Sequence, residues 1–244
     1  MTLLSVNVNK IALLRNSRGR DYPSVTGFVD DCLALGVRGI TVHPRPDERH
    51  IRRQDVHDLA ALLRDRDGVE FNIEGYPSRE FLDLVLAVRP AQCTLVPDKP
   101  GQLTSDHGWE VGVNLGLLQS VTGELTAAGI RSSLFVDPAE EMIEQVPGTG
   151  ADRIELYTEE YAKSHGTGRQ AEVLERYRQA AACASSLGIG VNAGHDLNLD
   201  NLADFLRIPA VLEVSIGHAL VVEALYFGIE TVIKRYQSII EAAG

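Results

Sequence analysis

Short apolar, often β-branched runs alternate with helical patterns along the whole chain, and this alternation limits the fold more than any other feature. The runs fall at 3–9, 39–44, 70–74, 92–97, 131–137, 152–158, 188–194 and 211–218. Such runs suit parallel strands, whose two faces are both covered by other parts of the protein. Between them, Val56, Leu59, Ala60 and Leu63 make one helical stripe and Phe81, Leu82, Val85 and Leu86 another. Gly36, Gly129 and Gly188 follow helical stretches, where a left-handed cap is open to glycine. Asp137-Pro138-Ala139-Glu140 reads as a helix start, with an Asp cap, Pro in first place and Glu closing a capping box. No Pro/Gly/Ser-rich linker interrupts the series. The expectation is a single α/β domain over 1–244, a (β/α)8 barrel of parallel strands. A doubly wound open sheet is the alternative, but no G-x-G-x-x-G follows the first strand.

Composition narrows the function classes. At 244 residues the chain has the length of one such barrel. No apolar run approaches the roughly 20 residues that span a bilayer, so no membrane role is expected. The segment MTLLSVNVNK lacks the layout of a signal peptide. Cys32, Cys93 and Cys183 lie far apart among apolar neighbours and read as reduced residues of a cytoplasmic protein. A net charge of -11 argues against nucleic acid, whose phosphates need clustered cations. Residues 1–53 nevertheless hold nine Lys/Arg against five Asp/Glu. A basic end on an acidic protein suggests a local site for a small anion.

The strands end on proton-moving groups: His43, Glu74, Glu155, His195 and His218. A parallel barrel brings all strand C-termini to one face, so these distant residues converge there. Glu74 alternates against Phe71 and Ile73, and Glu155 against Ile154 and Leu156, so both carboxylates face inward. Arg45 and His50, on the segment after the second strand, suit a phosphate; Arg49, Arg52 and Arg53 beside them read as a solvated charged loop. Gly217-His218 opens an apolar helix, where backbone N–H groups can meet an anion. Two connections, 10–23 and 98–108, are long for βα loops, and the second reads as a lid. His57, His107 and His165 carry no functional signal, and Trp109 reads as an anchor for the 98–108 loop.

SVNVNKIALLRNSRGR, GITVHPRPDERHI, FNIEGYP, TLVPDKPGQLTSDHGW, RIELYTEEYA, GVNAGHDL and VSIGHAL together resemble the pyridoxine 5′-phosphate synthase family, block by block and in order. The resemblance implies a barrel that condenses 3-amino-2-oxopropyl phosphate with 1-deoxy-D-xylulose 5-phosphate. The products would be pyridoxine 5′-phosphate, phosphate and water. It implies no metal, no organic cofactor and a homo-octamer. By the same resemblance His43 and Glu74 are proton acceptors, His195 is a proton donor and Glu155 stabilises a cationic transition state. Asn7 and Arg18 match contacts to the amino-ketone phosphate; Arg45, His50 and Thr104 match contacts to the deoxyxylulose phosphate. Asp196, Gly217 and His218 fall at binding positions. Asn9-Lys10 stands where some members have Asp-His, and Asp196 where some have Gly; Lys10 still offers a cation to a phosphate. Two other functions use the same residues: a metal-dependent sugar-phosphate isomerase or epimerase, and a non-catalytic barrel that binds a phosphorylated ligand.

Overall fold

The computed structural model describes residues 2–98 and 105–244. Its eight strands are β1 (Leu3–Asn7), β2 (Gly39–Val42), β3 (Glu70–Gly75), β4 (Gln92–Leu95), β5 (Arg131–Val136), β6 (Arg153–Tyr157), β7 (Gly190–Gly194) and β8 (Val211–Ile216). Each pairs in parallel with the next and β8 pairs with β1, so the sheet closes into a barrel. All eight lie within the expected segments to within a residue or so at most ends. Helices α1 (Asn9–Asn16), α2 (Val25–Ala34), α3 (Arg53–Leu63), α4 (Arg79–Val88) and α5 (Leu115–Ala127) follow the first four strands. After β5 come α6 (Glu140–Ile143), α7 (Glu159–Ser164), α8 (Gln170–Ser186), α9 (Leu202–Phe205), α10 (His218–Phe227) and α11 (Ile229–Ala243).

Two layers of packing follow from strand alternation. Residues such as Val6, Ile40, Ile73, Leu95, Leu134, Ile154, Ala193 and Val214 point outward into the apolar layer beneath the helices, and all are fully buried. The opposite set fills the barrel, and it is polar: Ser5, Thr41, Asn72, Gln92, Thr94, Ser133, Asn192 and Glu213. Branched apolar side chains commonly fill this space. Here most of the polar groups satisfy one another, as burial requires; the Ser133 hydroxyl is the exception. Ser5 and Thr41 share a hydrogen bond of 2.7 Å, Asn72 donates to Thr41 and Thr94 donates to Asn72. Lower in the barrel, Gln92 and Asn192 donate to Glu213, and Arg131 and Arg153 bond Gln92 and Asn192 in turn. Arg131 also pairs with Glu70. The floor of the site is thus a hydrogen-bonded framework with set side-chain directions.

Some expectations need correction. The first strand stops at Asn7, and the first half of the expected 10–23 loop is helix α1, which buries Ile11, Ala12 and Arg15 on one face. Asp137 caps no helix; its carboxylate accepts the Gly108 N–H, and α6 begins at Glu140 after an extended Ala139. Trp109 is buried and donates its indole N–H to the Leu95 carbonyl, the anchoring expected of it. Gly36, Gly129 and Gly188 do take positive φ. Most of the expected lid, including Thr104, lies outside the described residues.

Candidate active site

The C-terminal ends of the strands surround a cavity of about 600 Å³. Twelve of the fourteen residues proposed from the sequence line it: Asn7, Asn9, Lys10, His43, Arg45, His50, Glu74, Glu155, His195, Asp196, Gly217 and His218. Thr104 is outside the described residues. Arg18 sits on the turn beyond α1, exposed to solvent and away from the cavity wall. Arg49, expected to be a solvated loop residue, lines the cavity instead, as do Ser105, Glu159 and Ser215, to which the sequence did not point. Arg49 reads as a solvated loop residue because sequence does not show that the chain turns back at Glu48, whose φ is 49°.

His43 and Glu74 extend from β2 and β3 to face each other, with Nδ1 and Oε2 4.0 Å apart. The His43 backbone N–H is held by the Asn9 side chain at 2.9 Å, and the Asn9 N–H by Asn7 at 3.0 Å. Asn7 and Asn9 therefore tie the end of β1 to the end of β2. Burial, with Arg45, His50 and Arg49 nearby, drives the His43 proton affinity well below the usual histidine range. Its imidazole is neutral at physiological pH and able to accept a proton. Burial, then the charges of Glu155, Glu213 and Asp98, push Glu74 well above the usual carboxylate range.

Glu155, buried on β6, is likewise raised to about 8 by burial and by Glu213, against a hydrogen bond from Thr94. A glycine is required opposite it: a Cβ at Gly194 would stand 2.2 Å from Oε1 of Glu155. The neighbouring His195 and Asp196 both take left-handed backbone, with φ of 88° and 59°. Consecutive residues of that kind cost energy and occur where the surroundings hold them. Here Thr158 bonds the carbonyls of Gly194 and His195, and Tyr157 meets the His195 ring edge to face at 5.0 Å. His195 Nδ1 lies 3.1 Å from the Asp196 carboxylate, an interaction that holds Asp196 below its ordinary range.

Cations gather on the side formed by β1, β2 and their following segments. Lys10, Arg45, Arg49 and His50 all face the cavity. Arg45 is buried and paired with Asp98, which also accepts from Ser105 at 2.9 Å. His50 is pushed down to about 4 by burial and by Arg45, Lys10 and Arg49, so it is neutral. Its Nδ1 accepts the Ile51 N–H at 2.9 Å. The ring proton must then sit on Nε2, leaving that atom a donor. Across the cavity, Gly217 and His218 open α10; a Cβ at Gly217 would meet the Asn7 side chain at 2.9 Å. Val96, Phe135 and Tyr157 form a small separate apolar cluster near the cavity. Among the described residues, no three His, Cys, Asp or Glu side chains are placed to share a metal ion.

The arrangement can hold two anionic groups, one on the cationic side and one by α10, with acids and bases between them. Comparison with known proteins gives the family. The family model described as the pyridoxal phosphate biosynthesis protein PdxJ matches residues 4–242. A pyridoxine 5′-phosphate synthase of Bacteroides thetaiotaomicron is 56% identical over 98% of this chain and 99% of its own length. One from Flavobacterium johnsoniae is 52% identical over 97% and 98%. Among solved structures, a thiamine phosphate pyrophosphorylase from Pyrococcus furiosus superposes with a TM-score of 0.62 at 16% identity, covering 99% of this chain and 96% of that one. At that identity the likeness concerns the fold alone.

Proposed function

The chain belongs to the PdxJ family of pyridoxal phosphate biosynthesis proteins, and we propose that its reaction is run by the strand-end groups around the barrel cavity. Its activity is that of a pyridoxine 5′-phosphate synthase, an enzyme of vitamin B6 biosynthesis. In this reading 3-amino-2-oxopropyl phosphate and 1-deoxy-D-xylulose 5-phosphate enter together. Joining amine to ketone and closing an aromatic ring requires loss of water and phosphate, with protons moved in both directions. His43 and Glu74 accept protons. The neutral imidazole of His43 can accept directly, and Glu74 does so once positive charge on the substrate favours its carboxylate form. His195 donates a proton to the departing oxygen. Glu155, uncharged when the cavity is empty, ionises as cationic charge develops on the substrate nitrogen, because a neighbouring cation favours the carboxylate.

Arg45 and His50, with Arg49 and Lys10 beside them, receive the deoxyxylulose phosphate; the neutral His50 donates from Nε2. Asn7, Gly217 and His218 at the start of α10 receive the other phosphate, where backbone N–H groups point at an anion. Asp196 keeps His195 oriented, and Asn9 does so for the His43 backbone. Arg18 and Thr104 take no assigned part in this scheme beyond the phosphate contacts that the family resemblance implies.

The observation that carries this reading is the convergence of His43, Glu74, Glu155 and His195 from β2, β3, β6 and β7 on one cavity with a cationic wall. A coupled assay tests it. Inorganic phosphate should be released only when both substrates are present, and prolonged chelation should leave the rate unchanged. No release with both would remove the synthase reading; loss of rate on chelation, restored by a divalent metal, would favour a metal-dependent mechanism.

The reading includes a homo-oligomer, an octamer by family resemblance. Support comes from an exposed apolar surface made by Leu13 and Leu14 of α1 and by Val222, Leu225, Tyr226 and Phe227 of α10. A cytoplasmic location is part of the same reading, supported by three unpaired cysteines. No helix among the described residues is long and apolar enough to cross a membrane.

A further inference from the structure

We propose that Asn16, keyed by Arg15, is a positioning residue for the phosphate-binding segment between β2 and α3. Neither side chain lines the cavity, yet together they hold the backbone that aims Arg49 and His50 into it. The Asn16 amide group, Nδ2, faces three successive carbonyls: Glu48 at 3.3 Å, Arg49 at 3.1 Å and His50 at 2.8 Å. On its other side, Oδ1 accepts from Arg15 Nε at 3.1 Å and Nη2 at 3.0 Å. A guanidinium on one side and carbonyls on the other permit only one orientation of this carboxamide.

Arg15 extends the clamp. It is buried, donates to the His50 carbonyl at 3.2 Å and forks onto Asp55 of α3, with one arm at 2.8 Å. Asp55 in turn accepts the Arg52 N–H at 2.7 Å. The segment 48–52 is thus fastened at both ends to the last turn of α1.

The segment needs such fastening because Glu48 adopts a left-handed backbone with φ of 49°. A residue with a side chain holds that conformation only where its surroundings impose it. Local bonds contribute: Glu48 N–H to the Arg45 carbonyl at 2.9 Å, and Arg53 N–H to the Glu48 carboxylate at 2.9 Å. These lie within the segment and cannot set where it sits relative to the barrel. Asn16 can, because α1 is anchored by Ile11 and Ala12 in the core. Removing its grip should let the reversal at Glu48 relax and displace the His50 Nε2 donor from the ligand phosphate. Proton transfer at His43, Glu74 and His195 would be untouched.

The inference rests on the synthase reading and is tested by two variants. Asn16→Asp keeps an acceptor for Arg15 but turns a carboxylate oxygen toward three carbonyls; Asn16→Ala deletes both contacts. Arg15 itself is left alone, since its loss would strand Asp55 in the interior. Hydrogen exchange at the amides of residues 48–53 should accelerate in both variants while the rest of the barrel keeps its protection. Affinity for 1-deoxy-D-xylulose 5-phosphate should fall about tenfold, the worth of a lost charge-neutral hydrogen bond network of this size. The KM for that substrate should rise accordingly, with kcat and the KM for the amino-ketone phosphate unchanged. Unchanged exchange, unchanged affinity, or an equal loss toward both substrates would overturn the proposal. Failure of the synthase reading would look different, since the unaltered enzyme itself would then release no phosphate in the coupled assay.

Discussion

At the scale of single residues, the site rests on carboxyl groups that the fold makes unusually reluctant to ionise. Glu74 and Glu155 project into one polar interior, where burial comes first; the Glu155 charge then raises the proton affinity of Glu74, and the Glu213 charge raises that of both. Glu74→Gln should leave folding and substrate binding intact and reduce turnover by ~10²-fold or more, the range for loss of a positioned base. Steady-state kinetics on the purified variant would settle this, and near-normal turnover would remove Glu74 from the mechanism. Glu155 lends itself to a measurement independent of activity. The folded protein holds its proton up to about 8, whereas the ordinary value is 4.5. The folded state therefore binds that proton more tightly than the unfolded chain, and stability falls as pH rises from the ordinary value toward about 8. Glu155→Gln, always uncharged, escapes this loss. Its advantage over the native protein should grow across that window to on the order of 5 kcal/mol and then level off. Thermal melts of both proteins between pH 5 and pH 9 would show a widening gap; a constant gap would mean that Glu155 ionises normally.

At the scale of elements, the sequence was most legible where periodicity carries the signal. The eight strands follow from their apolar runs and the inward direction of Glu74 and Glu155 from alternation, because one residue of slip would turn every apolar side chain into the polar barrel interior. Residues at strand ends were found for the same reason: closure of the barrel alone brings them together. Helix α1 was missed, since its N-cap is Val8, which offers no side-chain cap, and its buried face includes Arg15, a residue that periodicity scores as polar. Arg49 was missed because its direction depends on the reversal at Glu48 and on contacts from α1, which are tertiary facts. The polar filling of the barrel was only partly visible, at Glu74 and Glu155. The β2–α3 segment is where this matters for function. Arg45 is buried against Asp98 and faces the cavity, so Arg45→Ala should weaken the deoxyxylulose phosphate far more than the amino-ketone phosphate. Calorimetric titration with each substrate separately reads this asymmetry. An equal loss for both would mean that Arg45 shapes the whole cavity instead of holding one phosphate.

At the scale of the whole molecule, the proposed oligomer rests on the exposed apolar face of α10. In HALVVEALYF the charged position is Glu223, and its carboxylate is occupied by Tyr236 and the Leu199 N–H. A helix apolar on all sides belongs in an interior. Yet only Leu220 is buried, while Leu225 and Tyr226 are 76% and 79% exposed. Leu13 and Leu14 of the adjoining α1 widen the same surface. Burying such a surface against a second copy would remove its contact with water, and at a twofold axis one patch can cover itself. A twofold contact alone yields dimers, so a larger ring or an octamer needs at least one further interface. Leu225→Glu combined with Tyr226→Glu should therefore lower the assembly's mass by one level of association without unfolding the barrel. Sedimentation or light scattering, read beside the thermal melt, would show a smaller and still folded species. If the unaltered protein is a monomer at micromolar concentration, or if the double variant keeps the native mass, this face is not the contact, and α10 must be covered in some other way.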